Sequence, residues 1–163
     1  MKYSRFYLLN SVCIVLALVL FQSCDQNRIF EEYKKIPSAG WSYENQCHFD
    51  LSIEDTAQRY DVYIKLRHHF AFEWRNIWVK VATTYPDSSV QESSVNLPLS
   101  EADGHWFGRC TGDVCDISIL IQRNAIFPAK GKYTFTISQD MRQNPLKNII
   151  DVGFRIEKSA SNN

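Results

Sequence analysis

The eight residues YDVYIKLR (60–67) alternate between apolar and polar side chains and give the clearest indication of the fold. Successive side chains of a β-strand point to opposite faces, so this period of two predicts a strand with one buried face and one solvated face. One-sided burial is typical of antiparallel sheets rather than of parallel sheets that are covered on both sides. The apolar members are Tyr60, Val62, Ile64 and Leu66, and the polar face carries Asp61, Tyr63, Lys65 and Arg67.

The same alternation recurs on both sides of this strand, between stretches of turn-forming residues. No segment shows a sustained helical period of 3.6 residues, which excludes a parallel α/β sheet. The pattern predicts an all-β fold, a single antiparallel β-sandwich of about seven strands. The predicted strands are 46–53, 60–67, 77–82, 93–99, 115–121, 133–137 and 150–157.

Two segments outside these strands carry a weaker helical signal. Residues 30–35 are expected to form a short helix that stops before the turn-forming residues 37–40. Residues 140–146 are expected to form one helical turn that ends near Pro145.

The N-terminal residues 1–23 have the composition of a cleaved secretory signal peptide. Lys2 and Arg5 precede an unbroken apolar run over residues 12–21. A membrane-spanning helix needs about 20 apolar residues, so this run is too short to span and fits a signal-peptide h-region. The rest of the chain divides into a lipidated N-terminus and tether (24–42), the β-sandwich domain (43–158) and a polar tail (159–163).

Cys24 directly follows Ser23 at the end of the apolar run, which resembles the processing site of bacterial lipoproteins. In that class, cleavage before the cysteine removes the apolar segment, and acyl chains on the cysteine replace it as the anchor. Each buried CH₂ group contributes about 0.8 kcal/mol, so two or three chains hold a protein at a membrane where one does not. The alternative is a plain secretory signal, or an uncleaved anchor, with an incidental cysteine.

The charge pattern excludes one class of partner. The leader contains two of the 18 Lys and Arg residues and none of the 18 Asp and Glu residues, so the remainder is slightly acidic. It has no basic run, and a nucleic-acid partner is therefore not expected. Nucleophile elbows, paired-carboxylate motifs and glycine-rich phosphate loops are also missing, so we predict no catalytic residue, no cofactor and no enzymatic activity.

Three cysteines remain beyond the leader and Cys24, namely Cys47, Cys110 and Cys115. Cys110 and Cys115 flank a Gly-Asp turn, so a disulfide that staples a loop to its strand is one interpretation. The other is a buried Cys115 with a free Cys110 in the loop. His68 and His69 are adjacent in a strand and point to opposite faces, so we predict no metal site.

Tryptophan residues supply the candidates for a binding surface. Trp74 and Trp106 lie next to predicted loops, where an indole can stack on a sugar ring or anchor a protein interface. Trp78 alternates with the core positions Ile77 and Val79, and we expect a loop to bury it.

An ordered set of short motifs resembles the GldH family, the gliding-motility-associated lipoproteins of the Bacteroidetes. The resemblance extends from Cys24 to Lys158. The motifs are Asp55-Thr56, Leu66-Arg67-His68, Asn76-Ile77-Trp78, Gly104-His105-Trp106-Phe107-Gly108, Met141-Arg142 with Pro145-Leu146, and Asp151-Val152-Gly153-Phe154-Arg155-Ile156-Glu157-Lys158.

The resemblance implies a lipoprotein of the cell envelope, anchored in the outer membrane by acyl chains on Cys24. Its partners would be envelope proteins of the gliding and type IX secretion machinery, bound by non-enzymatic protein–protein contacts. A glycan-binding lipoprotein that uses Trp106 or Trp74 as a stacking platform is the alternative. Arg142 and Arg155 either pair with Asp151 or Glu157, or form a charged surface at the loop edge that faces a partner.

Overall fold

The alternating segments of the sequence become the strands of two antiparallel sheets that pack face to face. The computed structural model describes residues 27–160 and confirms the predicted all-β sandwich. All seven predicted strands are present, and two more join them. The strands are β1 (Arg28–Lys35), β2 (Cys47–Ile53), β3 (Tyr60–His69), β4 (Asn76–Thr84), β5 (Val90–Pro98), β6 (Arg109–Thr111), β7 (Val114–Ala125), β8 (Gly131–Gln139) and β9 (Ile149–Lys158).

One sheet has five strands in the order β1-β9-β3-β7-β6, and the other has four in the order β2-β8-β4-β5. The core lies between them, and Phe154 of β9 is at its centre. The ring centroid of Phe154 is 4.5 Å from that of Phe135 and 5.5 Å from that of Phe49, which both belong to the opposite sheet. These buried rings therefore join the two layers.

The helix predicted for residues 30–35 is wrong, because this segment is strand β1. Its Glu and Lys residues are good helix formers, but pairing with β9 overrides that local preference. Tyr33 lies opposite Gly153, where an added Cβ would come within 2.7 Å of the Tyr33 ring. The sheet thus begins at Arg28, within the segment predicted as a tether, and the domain extends N-terminally of residue 43.

A partly buried ion pair fixes β1 to the sheet. The Glu31 carboxylate accepts a hydrogen bond from Lys65 Nζ at 2.6 Å, across the intervening β9, and also pairs with Arg28. Burial raises the pKa of the Glu31 carboxyl, but the bonds from Lys65 and Arg28 outweigh that effect and lower its pKa to about 2. Glu31 therefore remains ionised at all ordinary pH values.

The helical turn predicted for residues 140–146 is also wrong, because this segment is an irregular loop. Leu146 and Trp41 exchange backbone hydrogen bonds of 2.8 and 2.9 Å, which hold the loop extended at its C-terminal end. The Gln139 side chain accepts the Met141 N–H at 2.7 Å, which fixes the start of the loop to the end of β8.

Because neighbouring strands are antiparallel, each connection between strands lies at one of the two ends of the sandwich. One end, which we call the loop end, carries the connections 36–46, 70–75, 99–108, 112–113 and 140–148. The opposite end carries 54–59, 85–89 and 126–130. The start of β1 and the end of β9 also lie at this opposite end, where Arg28 pairs with Glu157. Within residues 27–160 no helix is long and apolar enough to cross a membrane.

Candidate binding surface at the loop end

Exposed aromatic residues surround the β8–β9 loop, which carries Arg142. The Trp74 indole N–H donates to Gln143 Oε1 at 3.0 Å, and the Tyr43 hydroxyl donates to the Met141 carbonyl at 2.6 Å. The sequence placed Trp74 and Arg142 in a binding surface, and the structure brings them together through this loop. The hydrogen bonds also limit the conformational freedom of the loop before any partner arrives.

Trp78 lies on the same surface, and the expectation that a loop buries it is wrong. Its neighbours Ile77 and Val79 are fully buried, as the alternation predicts, but Trp78 itself is 44% exposed. The Met141 sulfur accepts the Trp78 backbone N–H at 3.3 Å, so the β8–β9 loop reaches the strand without covering the ring. Coverage of an outer face depends on where a distant loop lies, and local alternation does not encode that.

Tyr43 is the member of this surface that sequence reasoning missed. It is 43% exposed and comes from the β1–β2 connection, next to the buried Trp41. Its backbone N–H donates to Asn144 Oδ1 at 3.1 Å. A lone aromatic residue in a loop gives no periodic signal, and its only marker was its position beside a second aromatic residue.

Trp106 belongs to a separate cluster. Its ring centroid lies 4.6 Å from that of His68, 6.3 Å from that of Phe70 and 6.5 Å from that of Phe72. The indole is only half exposed because these rings enclose it. Within residues 27–160 no ring contact joins Trp106 to Trp74, so the two tryptophans predicted as binding residues lie in different clusters.

His68 is a structural member of this second cluster. It is 1% exposed, and its Nδ1 donates to the His69 carbonyl at 2.9 Å. Burial lowers the pKa of the His68 imidazole from its ordinary value of 6.5, so the ring is neutral at physiological pH. A neutral, hydrogen-bonded imidazole packs against Trp106 as an apolar ring does.

The structure joins Cys110 to Cys115 in a disulfide, the first of the two arrangements open from the sequence. The two residues face each other across β6 and β7, so the bond ties the short strand β6 to the sheet. By fixing β6, the disulfide also holds the end of the β5–β6 connection close to β7. Gly108 permits that approach, because an added Cβ would lie 2.5 Å from the Asp116 carbonyl oxygen.

Arg142 of the β8–β9 loop and Arg155 of β9 take different roles. Arg155 pairs with Glu157, and Asp151 instead accepts a hydrogen bond from Arg67 Nη1 at 3.0 Å. Arg142 is exposed and forms no ion pair or hydrogen bond to another group within residues 27–160. Its charge is therefore available at the loop end, whereas Arg155 is part of the sheet surface.

The described residues offer little reactive chemistry. No group of three or more His, Cys, Asp or Glu side chains within residues 27–160 is arranged to hold a metal ion. Cys47 is a free, buried cysteine, and burial raises the pKa of its thiol to about 12. A thiol that stays protonated is a poor nucleophile, so Cys47 is a core residue.

Fold and surface together define a single β-sandwich domain that presents aromatic side chains and an unpaired arginine on loops at one end. Residues 28–156 match the family described as GldH lipoprotein. The chain belongs to this family, as the ordered motifs of its sequence predict. Cys24 and the predicted signal peptide 1–23 lie outside the described residues 27–160.

Two curated relatives are similar over nearly their whole length. The Gliding motility lipoprotein GldH homolog of Christiangramia forsetii is 31% identical over 152 residues, which cover 89% of this chain and 93% of the relative. Gliding motility lipoprotein GldH of Flavobacterium johnsoniae is 31% identical over 156 residues, which cover 91% of this chain and 96% of the relative.

Solved structures are more distant. A carbohydrate-binding module, CBM28, that is specific for non-crystalline cellulose superposes with a TM-score of 0.41 at 6% identity, over 80% of this chain and 75% of the module. The endo-1,4-beta-D-xylanase 10B of Clostridium thermocellum gives a TM-score of 0.27 at 7% identity, over 82% of this chain and 28% of that one. Likeness at this level carries no argument about ligands.

Proposed function

We propose that this protein is an outer-membrane lipoprotein, held by acyl chains on Cys24, that acts in the gliding motility and type IX secretion machinery. It is a non-enzymatic component or accessory, and it binds other envelope proteins through the surface formed by Tyr43, Trp74, Trp78 and Arg142. The observation that carries the proposal is that β1 begins four residues after Cys24, at the end of the sandwich opposite this surface.

The position of the anchor orients the domain. An extended chain spans at most about 3.6 Å per residue, so the four residues from Cys24 to Arg28 reach no further than about 14 Å. The end of the sandwich with connections 54–59, 85–89 and 126–130 therefore faces the membrane. Strand β1 rises roughly 26 Å away from it, at about 3.3 Å per residue. The loop end is thus displayed toward the surrounding envelope space.

The surface at the loop end has the composition of a protein interface. Trp, Tyr and Arg are the residue types most enriched among side chains that dominate binding energy. Trp74, Trp78 and Tyr43 are each exposed by somewhat more than two fifths, and a polar loop lies between them. Hydrogen bonds to that loop hold the Tyr43 and Trp74 side chains in place, which lowers the entropic cost of association.

The glycan-binding alternative is less well supported. A sugar platform needs open, roughly coplanar aromatic faces in a groove. Trp106 lines an open cavity with Phe70, but the planes of the two rings are 75° apart, so they do not form a coplanar platform. Trp74 has an exposed ring, but its N–H is engaged by Gln143, and no stacked pair within residues 27–160 includes it. The geometry therefore favours a protein partner.

Two experiments test the proposal. Cys24→Ala should leave an unprocessed precursor without acyl-chain labelling, and unchanged processing and labelling would contradict lipidation.

A photo-crosslinking residue at position 142 should capture an envelope protein in intact cells, and adding Trp74→Ala should reduce the yield. The same residue at position 55, at the opposite end, is the matched control. Equal capture from both positions, or capture of lipid alone, would contradict a partner surface at the loop end.

A further inference from the structure

The two sheets leave four edge strands, β1 and β6 in one sheet and β2 and β5 in the other. An edge strand presents unpaired backbone N–H and C=O groups, and proteins usually protect such edges from pairing with other chains. Three of these edges are protected. Five of the eight residues of β1 are charged, and its register is interrupted near Arg28. Strand β6 has only three residues. Strands β2 and β5 each lie beside a strand of the other sheet, but at β2 the Lys34 ammonium of β1 lies 5.8 Å from the Phe49 ring, so a charged side chain covers that edge.

Strand β5 lacks these protections. It has nine residues, pairs with β4 without any irregularity in register, and contains a single charged residue, Glu92. Pro98 is its last residue and ends the edge without interrupting it. Among the edges within residues 27–160, β5 is therefore the long, regular one that is open to a further strand.

The hydrogen bonds of the hairpin show which groups of β5 face outward. The Tyr85 N–H donates to the Ser89 carbonyl, and the Leu99 N–H donates to the Arg75 carbonyl. In an antiparallel ladder hydrogen-bonded pairs alternate, so the odd-numbered residues of β5 bond to β4. The even-numbered residues consequently direct their N–H groups toward the free edge. These residues are Val90, Glu92, Ser94 and Asn96.

A cavity of about 190 Å³ opens beside this edge, between β5 and β7. It has the volume of roughly six water molecules at about 30 Å³ each. None of the residues that line it is charged. Gln91 and Ser93 of β5 point into it, although the alternation of the strand assigns them to the core face. Both side chains are exposed, so the cavity is open to solvent along β5.

The polar groups at this cavity are available to a ligand. The side chains of Thr83, Ser93 and Gln122 form no hydrogen bond to another group within residues 27–160. Gln91 accepts a hydrogen bond from the Tyr85 hydroxyl at 2.8 Å, which leaves its amide N–H groups free to donate. The floor is apolar and includes Val81, Phe127 and Phe135. An uncharged side chain, polar or small and apolar, therefore fits this site.

We propose that β5 is a docking strand: an extended segment of another envelope protein adds to its free edge and inserts an uncharged side chain into the adjacent cavity. This inference rests on the proposed function, since it assigns a second contact to the same assembly. Backbone hydrogen bonds along β5 supply affinity in this mode of recognition, and the cavity supplies selectivity.

A second copy of this chain does not fit as the occupant. A closed two-fold dimer through β5 would pair the two strands in antiparallel directions. The strand β1 runs parallel to β5 in the sandwich, so the two Arg28 ends would then point in opposite directions. Two chains anchored in one membrane through residues next to Arg28 cannot adopt that arrangement. The docked strand therefore comes from a different protein.

Amide hydrogen exchange of the lipidated protein, in native envelopes and after purification in detergent, tests this proposal. In envelopes the amides of β5 should exchange at least about tenfold more slowly than in the purified protein, whereas the exchange of the amides of the edge strand β2 should not change.

Ser94→Pro removes an outward N–H without breaking the β4 ladder and should abolish the added protection. Ser94→Ala keeps the N–H and is the matched control. Ser93→Trp fills the cavity and should also remove the protection, through a change that leaves the edge intact.

The outcomes separate this inference from the proposed function. Equal exchange of β5 in both preparations, or protection that survives Ser94→Pro, would overturn the docking strand. Protection that appears in the purified protein as its concentration rises would identify a second copy and would overturn it too. If β5 is unprotected while position 142 still captures an envelope protein, only the docking strand fails. If neither is observed, the proposed function fails as well.

Discussion

Phe154 and Trp74 belong to two aromatic groups with opposite surroundings. Phe154 is fully buried and contacts Phe49 and Phe135 of the facing sheet. Trp74 is 42% exposed, and its polar contact is to a loop side chain. Trp106 is intermediate, since three rings enclose a side chain that still reaches solvent. How much of an aromatic ring is in contact with other residues, rather than its residue type, indicates whether it stabilises the fold or is exposed for binding.

Phe154→Ala should produce the largest loss of stability. It removes the ring that connects the two sheets, and substitutions of this kind cost about 3–5 kcal/mol. Chemical denaturation of the purified domain measures the loss. Phe154→Leu is the control and should cost clearly less, because it retains most of the apolar volume. A loss below about 1 kcal/mol for the alanine variant would show that Phe154 does not connect the layers.

Trp106→Ala tests the intermediate case and should cost about 2 kcal/mol, since a partly enclosed ring is lost. The variant should also raise the pKa of His68 toward 6.5, because burial is the main cause of its lowering. NMR titration of the imidazole measures this. The unfolded chain protonates near pH 6.5 and the folded chain only at lower pH, so wild-type stability should fall as the pH drops below 6.5. In Trp106→Ala that fall should be smaller. An unchanged pKa of His68 in this variant would show that Trp106 does not bury His68 and resembles the exposed aromatic residues instead.

The double substitution Cys110→Ser with Cys115→Ser should have a similar cost, about 2 kcal/mol, because the loop that the disulfide closes is short. The effect should be local. Hydrogen exchange should increase in β6 and in the β5–β6 connection that carries Trp106, and should not change around Trp74. Faster exchange throughout the sandwich would contradict this local role. Cys47→Ser is a control for the loss of a cysteine elsewhere in the fold.

Trp74→Ala should have the smallest effect on stability, within about 0.5 kcal/mol, because the exposed ring makes little apolar contact. Capture of a partner from position 142 should nevertheless decrease severalfold. Trp74→Phe should retain part of the capture, because it keeps an aromatic ring without the N–H that bonds Gln143. A destabilisation of Trp74→Ala near that of Phe154→Ala would erase the distinction between the two aromatic groups.

Strong local patterns made most of this fold predictable. Strand β3 alternates over its whole length, and its apolar residues are buried as the sequence indicates. Strand β1 was missed because its charged residues favour a helix locally, and only pairing with β9, near the other end of the chain, makes it a strand. Strand β6 has three residues, too few for a period, and depends on its ladder with β7 and on the disulfide.

The candidate binding surface was only partly predictable. Trp74 and Arg142 could be selected because their residue types and positions next to loops suit recognition. Their proximity depends on the irregular path of the β8–β9 loop, which local sequence did not indicate. Tyr43 and Trp78 join the surface for the same reason. Loops from distant parts of the chain meet only when the sheets are assembled, so tertiary contacts determine which aromatic residues remain exposed.

Under the proposed anchoring at Cys24, the pairing of the first strand with the last has a mechanical consequence. A pull between the membrane and a partner at the loop end would act along β1, parallel to its length. The hydrogen bonds between β1 and β9 would then be loaded together in shear, rather than one after another as when a strand is peeled from its end. The ion pair between Glu31 and Lys65 extends that load to β3. In the proposed function, such a sandwich is suited to transmit tension between the membrane and its partner while it stays folded.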